Sequence, residues 1–248
     1  MLKTYFLIAF FLVNLSVFGQ SYKITYKIDV ERMEERTKEK LKPEQQKYLL
    51  PAYAYLKKLT PTLYVKNNET IYSNEEKMDK DIDQGHFFEI AKVIAGTHQG
   101  PIYQNLETKE TLKPQEFLGE NFLVKYPFEE FDWEIKNEFE TIKGIKAQKA
   151  VAWVLKSENK DDKAYIEAWF TPEIPISSGP IEFGGLPGLI IKLIKNDTLT
   201  LILENVEESP TEEITIEKPK GNPIGVEEFY KQIEELTQKS PYGDYIGN

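Results

Sequence analysis

The sequence predicts an α+β fold: one large, curved, mostly antiparallel sheet packed with an internal helix and a C-terminal amphipathic helix. Three observations predict it. Short apolar segments with period-2 alternation recur along the chain, the pattern of strands buried on one face. Nine or ten such strands stand at close spacing with only two helices among them, which argues for one large sheet against one or two helices. Asn-rich and polar turns separate neighbouring strands closely enough for hairpins.

Residues 1–19 read as an export signal. Lys3 supplies the positive start, Tyr5 to Val13 is an apolar run, and Val17-Phe18-Gly19 offers a cleavage site before Gln20. A spanning helix needs about 20 apolar residues, which this run lacks. The expected organisation is therefore a signal peptide at 1–19, one domain at 20–239 and a flexible tail at 240–248.

The first strand alternates Tyr22, Ile24, Tyr26, Ile28 and Val30 against Lys23, Thr25, Lys27 and Asp29. A charged segment, Glu31 to Lys42, separates it from a helix ending near Leu59, with Leu49, Ala52, Tyr53 and Leu56 on one face. Pro51 kinks or begins that helix. Two short strands around Leu63–Val65 and Glu69–Tyr72 turn at Asn67-Asn68. Glu75 to Asp83 reads as loop, and His86 to Ile94 fits helix or strand. Strands follow at 101–106, 117–124, 131–136 and 139–142. Hairpins at 145–155/164–170 and 189–194/199–203 come next, the first with a polar tip at 156–163, the second turning at Asn196-Asp197. Val226, Phe229, Ile233 and Leu236 mark the terminal helix.

Between Pro172 and Gly188 lie four prolines and four glycines set among apolar residues. Pro fixes φ and Gly permits positive φ, so this stretch prescribes a backbone path while being too hydrophobic for an ordinary surface loop. Leu186-Pro187-Gly188-Leu189 meets the residue demands of a type II turn. Pro172, Pro175, Gly184, Gly185, Pro187 and Gly188 are the expected structural motif. Trp169, Phe170, Phe183, Leu186 and Leu189 are the candidate lining of a groove for an apolar ligand or extended peptide, with packing of the sheet end as the alternative.

Trp169-Phe170-Thr171-Pro172-Glu173-Ile174-Pro175-Ile176, followed by Gly185-Leu186-Pro187-Gly188-Leu189-Ile190, resembles the signature of the GLPGLI family of exported bacterial proteins. Leu63-Tyr64, Glu69 to Ser73, Tyr103-Gln104-Asn105, Asp132 to Ile135 and Ile142 to Ala150 resemble it too, so the likeness runs from about Tyr22 to Val206. It departs at Ala147, where the family pattern is expected to carry Cys. The resemblance implies a Gram-negative envelope setting and an export signal; it implies no activity, because none is established for the family.

The chain has no cysteine, which excludes disulfides, thiolate metal sites and a Cys-anchored lipoprotein. Losing the signal removes Lys3 and leaves 30 basic against 41 acidic residues. That balance argues against nucleic acid or an anionic membrane surface as partner. No second apolar stretch approaches spanning length, so no transmembrane span is expected after signal cleavage. Catalytic signals are sparse: His86 and His98 stand without a metalloprotease spacing, and Ser177-Ser178 has no nucleophile elbow. Glu167 with Glu173, or Asp132 with Glu134, are the carboxylate pairs of an alternative hydrolase reading, metal-assisted by a histidine. No cofactor, metal site or catalytic residue is assigned. The leading expectation is a periplasmic or cell-surface protein, not an enzyme, that binds a hydrophobic ligand, peptide or outer-membrane protein. A further alternative is a structural accessory of an outer-membrane complex.

Overall fold

The computed structural model describes residues 21–75, 85–97, 99–155, 163–196, 198–210 and 213–239. The expected signal peptide, the tail at 240–248, His98, Asp197, most of the polar tip at 156–163 and most of the loop at 75–83 lie outside the described residues.

Strand β1, Ser21–Ile28, buries Tyr22, Ile24, Tyr26 and Ile28 in strict alternation. The charged segment after it is helical: α1, Val30–Lys40, opens on Asp29, whose carboxylate accepts the Arg32 N–H at 3.2 Å. Only its sparse inward face, Val30, Met33 and Thr37, is buried. Helix α2, Pro43–Leu56, begins with Pro43, carries Pro51 inside and stops short of Leu59. Strands β2, Thr60–Lys66, and β3, Glu69–Glu75, meet at Asn67, whose φ is 56°. The ambiguous stretch resolves as helix α3, His86–Ile94, with Phe88 and Ala91 inward.

Strand β4, Ile102–Asn105, precedes a hairpin of β5, Glu110–Phe117, and β6, Glu120–Pro127. The sequence predicted a strand running through Phe117–Val124; the chain instead reverses at Leu118-Gly119, both at positive φ. A short 3-10 helix, Phe128–Phe131, replaces the start of the strand expected from Phe131. The two strands expected next are one, β7, Glu134–Ile142, with a register irregularity between Ile135 and Phe139. Strands β8, Ile145–Leu155, β9, Lys163–Thr171, and β10, Leu189–Lys195, match expectation closely, whereas β11, Leu199–Glu208, runs five residues beyond the expected end at 203 to pair with the start of β1. A two-residue β12, Ile224–Gly225, leads into helix α4, Val226–Lys239.

Together the strands form one open, twelve-stranded sheet ordered β12-β6-β5-β4-β3-β2-β1-β11-β10-β9-β8-β7. Every pairing is antiparallel except β12 with β6. The first strand sits near the middle, so the β1–β11 pairing joins the two halves of the chain. Register places Tyr26, Tyr72 and Gln104 on one face. Tyr26 donates to Ile190 O at 2.9 Å, Tyr72 to Ala95 O at 3.3 Å and Gln104 to Glu182 O at 2.9 Å. That face therefore carries α3 and the Pro/Gly segment. On the β8–β9 arm the same face is set with Ala150, Ala152, Ala164 and Ala168, all buried. Small side chains there leave room for an inserted layer. On the opposite face, residues 213–223 run across the strands as a strap. Lys66 donates to Ile214 O at 2.8 Å, and Ile216 packs on Tyr103, Leu112 and Leu123.

The Pro/Gly segment is thus core. Ile176, Ser178, Ile181, Phe183 and Leu186 are each at most 4 % exposed. The predicted type II turn is not what forms at its end: the Gly188 N–H bonds to Leu186 O at 2.8 Å, around Pro187, and the Leu189 N–H reaches Ile174 O at 3.0 Å. Those are the bonds of a tighter three-residue turn and a long-range clasp. Gly188 is required for space as well as for its φ of 147°: a Cβ there would stand 2.0 Å from Thr171 O. Gly188→Ala should therefore destabilise the protein by at least ~3 kcal/mol, against ~1 kcal/mol for Gly119→Ala, where an added carbon meets nothing within 4 Å. Urea unfolding followed by circular dichroism checks the difference; equal losses would contradict the close approach.

Candidate functional site

Burying a loop backbone requires partners for its polar groups. Gln104, 1 % exposed on β4, supplies several. Its amide nitrogen donates to Glu182 O at 2.9 Å and to Thr111 Oγ1 at 3.0 Å, while its oxygen accepts from Ser178 Oγ and from Thr70 Oγ1. Trp133 adds an indole N–H to Gly184 O at 2.8 Å. The link between Ser178 and Glu182, both held by Gln104, is strained. Ile181, a β-branched residue, sits at φ 61° and is held with its side chain against Gly96, where a Cβ would come within 2.9 Å of it. Immediately after this bend, Glu182 turns its carbonyl to Gln104 and its carboxylate to Lys113.

Glu182 and Lys113 lie in a cleft of about 370 Å³. One wall comes from β5 and β6 with Phe117 and Tyr126; the other comes from β8, β9 and β10 with Val154, Ala164 and Lys195. Strands far apart in the sheet order face each other here, so the sheet is strongly curled. Phe131 closes the inner end, and α4 lays Val226, Phe229, Tyr230 and Ile233 along the opening. Phe229 and Val226 also pack on Val124, with the Phe122 ring 5.3 Å from that of Phe229. The cleft is thus apolar on most sides with a small charged group set into it, the usual composition of a ligand pocket.

That charged group is asymmetric. Lys113 Nζ is 3.1 Å from Glu182 Oε2, and Lys195 also acts on the carboxylate. Burial raises the pKa of Glu182; the charges of Lys113 and Lys195 and the hydrogen bond from Lys113 outweigh it and hold the carboxyl below its ordinary value. Lys195 has no ion-pair partner among the described residues.

The sequence-predicted groove residues are elsewhere. Phe170, Phe183, Leu186 and Leu189 are at most 2 % exposed and belong to the main core, Phe183 stacking with Phe131 at 5.2 Å. Strand alternation puts Trp169 on the opposite face from Phe170. Its indole donates to Glu167 at 2.8 Å, and the ammonium groups of Lys149 and Lys192 stand 5.8 and 5.4 Å from its ring. None of the five lines the cleft. Among the motif residues, Gly184 and Gly188 are buried, whereas Pro172, Pro175, Gly185 and Pro187 are exposed.

The carboxylates of the hydrolase reading do not meet there either. Glu167 is tied to Lys149 at 3.2 Å, Glu173, Asp132 and Glu134 are exposed, and His86 is exposed at the start of α3. Among the described residues no group of three His, Asp or Glu is placed to hold a metal ion. Sequence reasoning missed Lys113, Glu182, Lys195 and the α4 wall. One signal was available: Glu182 is the only charge between Glu173 and Lys192, within an otherwise apolar segment.

Comparison with known proteins adds little chemistry. Residues 129–192 match a family model described as a protein of unknown function, Porph_ging. That span holds β7 to β9, the Pro/Gly segment and the start of β10. Among curated proteins none matches the chain. The solved structure of PNGF-II in space group P21 is similar to it at 17 % identity and a TM-score of 0.51, over 87 % of this chain and 33 % of that one. The C2 form gives 17 % identity and 0.49, over 87 % and 32 %. The chain therefore spans about a third of the length of these structures, and the likeness is one of fold.

The Glu182 cluster has a pH signature. A carboxyl whose folded pKa lies below its unfolded value stabilises the fold fully above the unfolded pKa, near the ordinary 4.5, and loses that contribution as pH falls through the folded value. Wild type should therefore lose more stability than Glu182→Gln between about pH 5 and pH 3, measured by denaturant unfolding at each pH. Parallel pH profiles for the two proteins would contradict a carboxylate held ionised by Lys113 and Lys195.

Proposed function

We propose that this is an exported protein, periplasmic or at the cell surface, that binds a hydrophobic ligand without catalysing a reaction on it. The observation that carries this reading is the cleft between α4 and the β8–β9 arm, where Phe117, Tyr126, Phe131, Phe229 and Ile233 surround a single charged cluster. Glu182 is committed to Lys113 and lacks a histidine or second carboxylate of the predicted set beside it, which favours recognition over acid–base chemistry.

In this reading residues 1–19 are a signal peptide removed on export, residues 20–239 form a single GLPGLI-type domain, and 240–248 are a tail. The export pattern at the N-terminus, the absence of cysteine and the Gly185–Ile190 hexapeptide support that assignment. No helix of the described residues is long and apolar enough to cross a membrane. The alternative of a structural accessory to an outer-membrane complex draws less support. The exposed apolar side chains Ile135 and Phe139 lie on one face of the β7–β8 arm, while Trp153, with Tyr165, lies on the other. They build no single docking patch.

Protein purified gently from its native envelope and measured by native mass spectrometry should carry a bound small molecule. Phe229→Asp, which puts a charge on the apolar wall, should be folded by circular dichroism and free of it. A wild-type protein of bare mass, binding no apolar probe in solution, would contradict the proposal.

A further inference from the structure

The cleft's polar corner says what kind of apolar ligand it would take. Two ammonium groups, Lys113 and Lys195, face one buried carboxylate, Glu182. The carboxylate already receives Lys113 at 3.1 Å. Lys195 enters from β10, on the far side of the cleft from β5, and has no ion-pair partner among the described residues. Glu116 is the remaining charged residue of the lining; it is exposed, and the alternation of β5 sends it away from the face that carries Lys113. The inner corner therefore has one cation more than its anions, while the rest of the lining is largely aromatic and aliphatic. A lone cation beside an apolar wall is completed by an anion that brings its own apolar body.

We propose that the cleft binds an amphipathic monoanion, a fatty carboxylate whose head lies against Lys195 and whose chain lies along Phe131, Phe229, Tyr230 and Ile233. The inference rests on the binding reading above and narrows it to a chemical class. A carboxylate head at Lys195 forms a charge-assisted pair in a cleft partly shielded from water, and an alcohol of equal length cannot form one.

Isothermal titration of the mature protein with dodecanoate, dodecanol and dodecylamine, each below its micelle concentration, separates the possibilities. Dodecanoate should bind roughly tenfold or more tightly than dodecanol, with dodecylamine weakest. Lys195→Gln should bring dodecanoate and dodecanol to about equal affinity, and Lys195→Arg should keep the preference, which guards against a merely unfolded variant. An apolar pentapeptide with a free C-terminal carboxylate carries the same head on a different body; tighter binding of that peptide than of dodecanoate would overturn the fatty-acid assignment. Equal binding of dodecanoate and dodecanol to wild type would overturn the anionic head while leaving the apolar cleft intact. Binding of none of the probes would overturn both this inference and the proposal on which it rests.

Discussion

One constraint governs the fold: a 17-residue stretch of irregular backbone, residues 172–188, has to pack on the inner face of a curled sheet with the polar groups of its buried positions satisfied. A regular element satisfies its own N–H and C=O groups, but a buried loop must borrow partners. Here they come from the sheet. Gln104 takes Glu182 O and Ser178 Oγ, Trp133 takes Gly184 O, and Tyr26 takes the carbonyl of Ile190 at the start of β10. An unmet buried group of this kind costs about 1–3 kcal/mol, so the set as a whole fixes where the segment sits. The backbone of Gly188 then passes so close to Thr171 that no side chain fits between them.

The cleft follows from that packing. With the Pro/Gly segment and α1–α3 filling much of the concave face, the space left over lies between the β5–β6 end and the β8–β9 arm. Phe131 and Glu182 bound it inside and α4 bounds it outside. Helix α4 is amphipathic because one face meets Val124 and Phe122 while its other side is rich in Glu and Lys. The strap at 213–223 crosses the outer face to reach it, with Lys218 near Glu110 at 3.6 Å and over the Tyr103 ring at 5.9 Å. Burial, then the hydrogen bond to Glu69, helps push the Tyr103 hydroxyl up to about 12, so Tyr103 stays protonated beneath the strap at neutral pH.

Much of the fold was legible in the sequence, and the reasons for the rest are physical. Strand β1 announced itself because one face is buried and period-2 alternation follows, and β10 because it is a short continuous apolar run buried on both faces. Helix α1 did not, since it buries only Val30, Met33 and Thr37 and its other residues are mostly charged. The β5–β6 reversal was hidden because Leu118, not Asn or Asp, takes the first left-handed position before Gly119. The Pro/Gly segment was recognisable as prescribed backbone, yet the site beside it was not. Phe170 and Phe183 are large and apolar because they are core, whereas the cleft is assembled from residues as distant in sequence as Lys113, Lys195 and Phe229. Only the curl of the sheet brings those together, and no local pattern encodes it.

Amide hydrogen exchange reports directly on whether the Pro/Gly segment is core. If the segment is core, the amides of Gly185, Leu189 and Ile190, bonded to Ser177 O, Ile174 O and Ser178 O at 3.2, 3.0 and 3.0 Å, should exchange only with global unfolding. They would then be protected as strongly as β10 amides such as that of Leu193. Exchange at Gly185 and Leu189 on the timescale of an open surface loop, while β10 stays protected, would contradict the account.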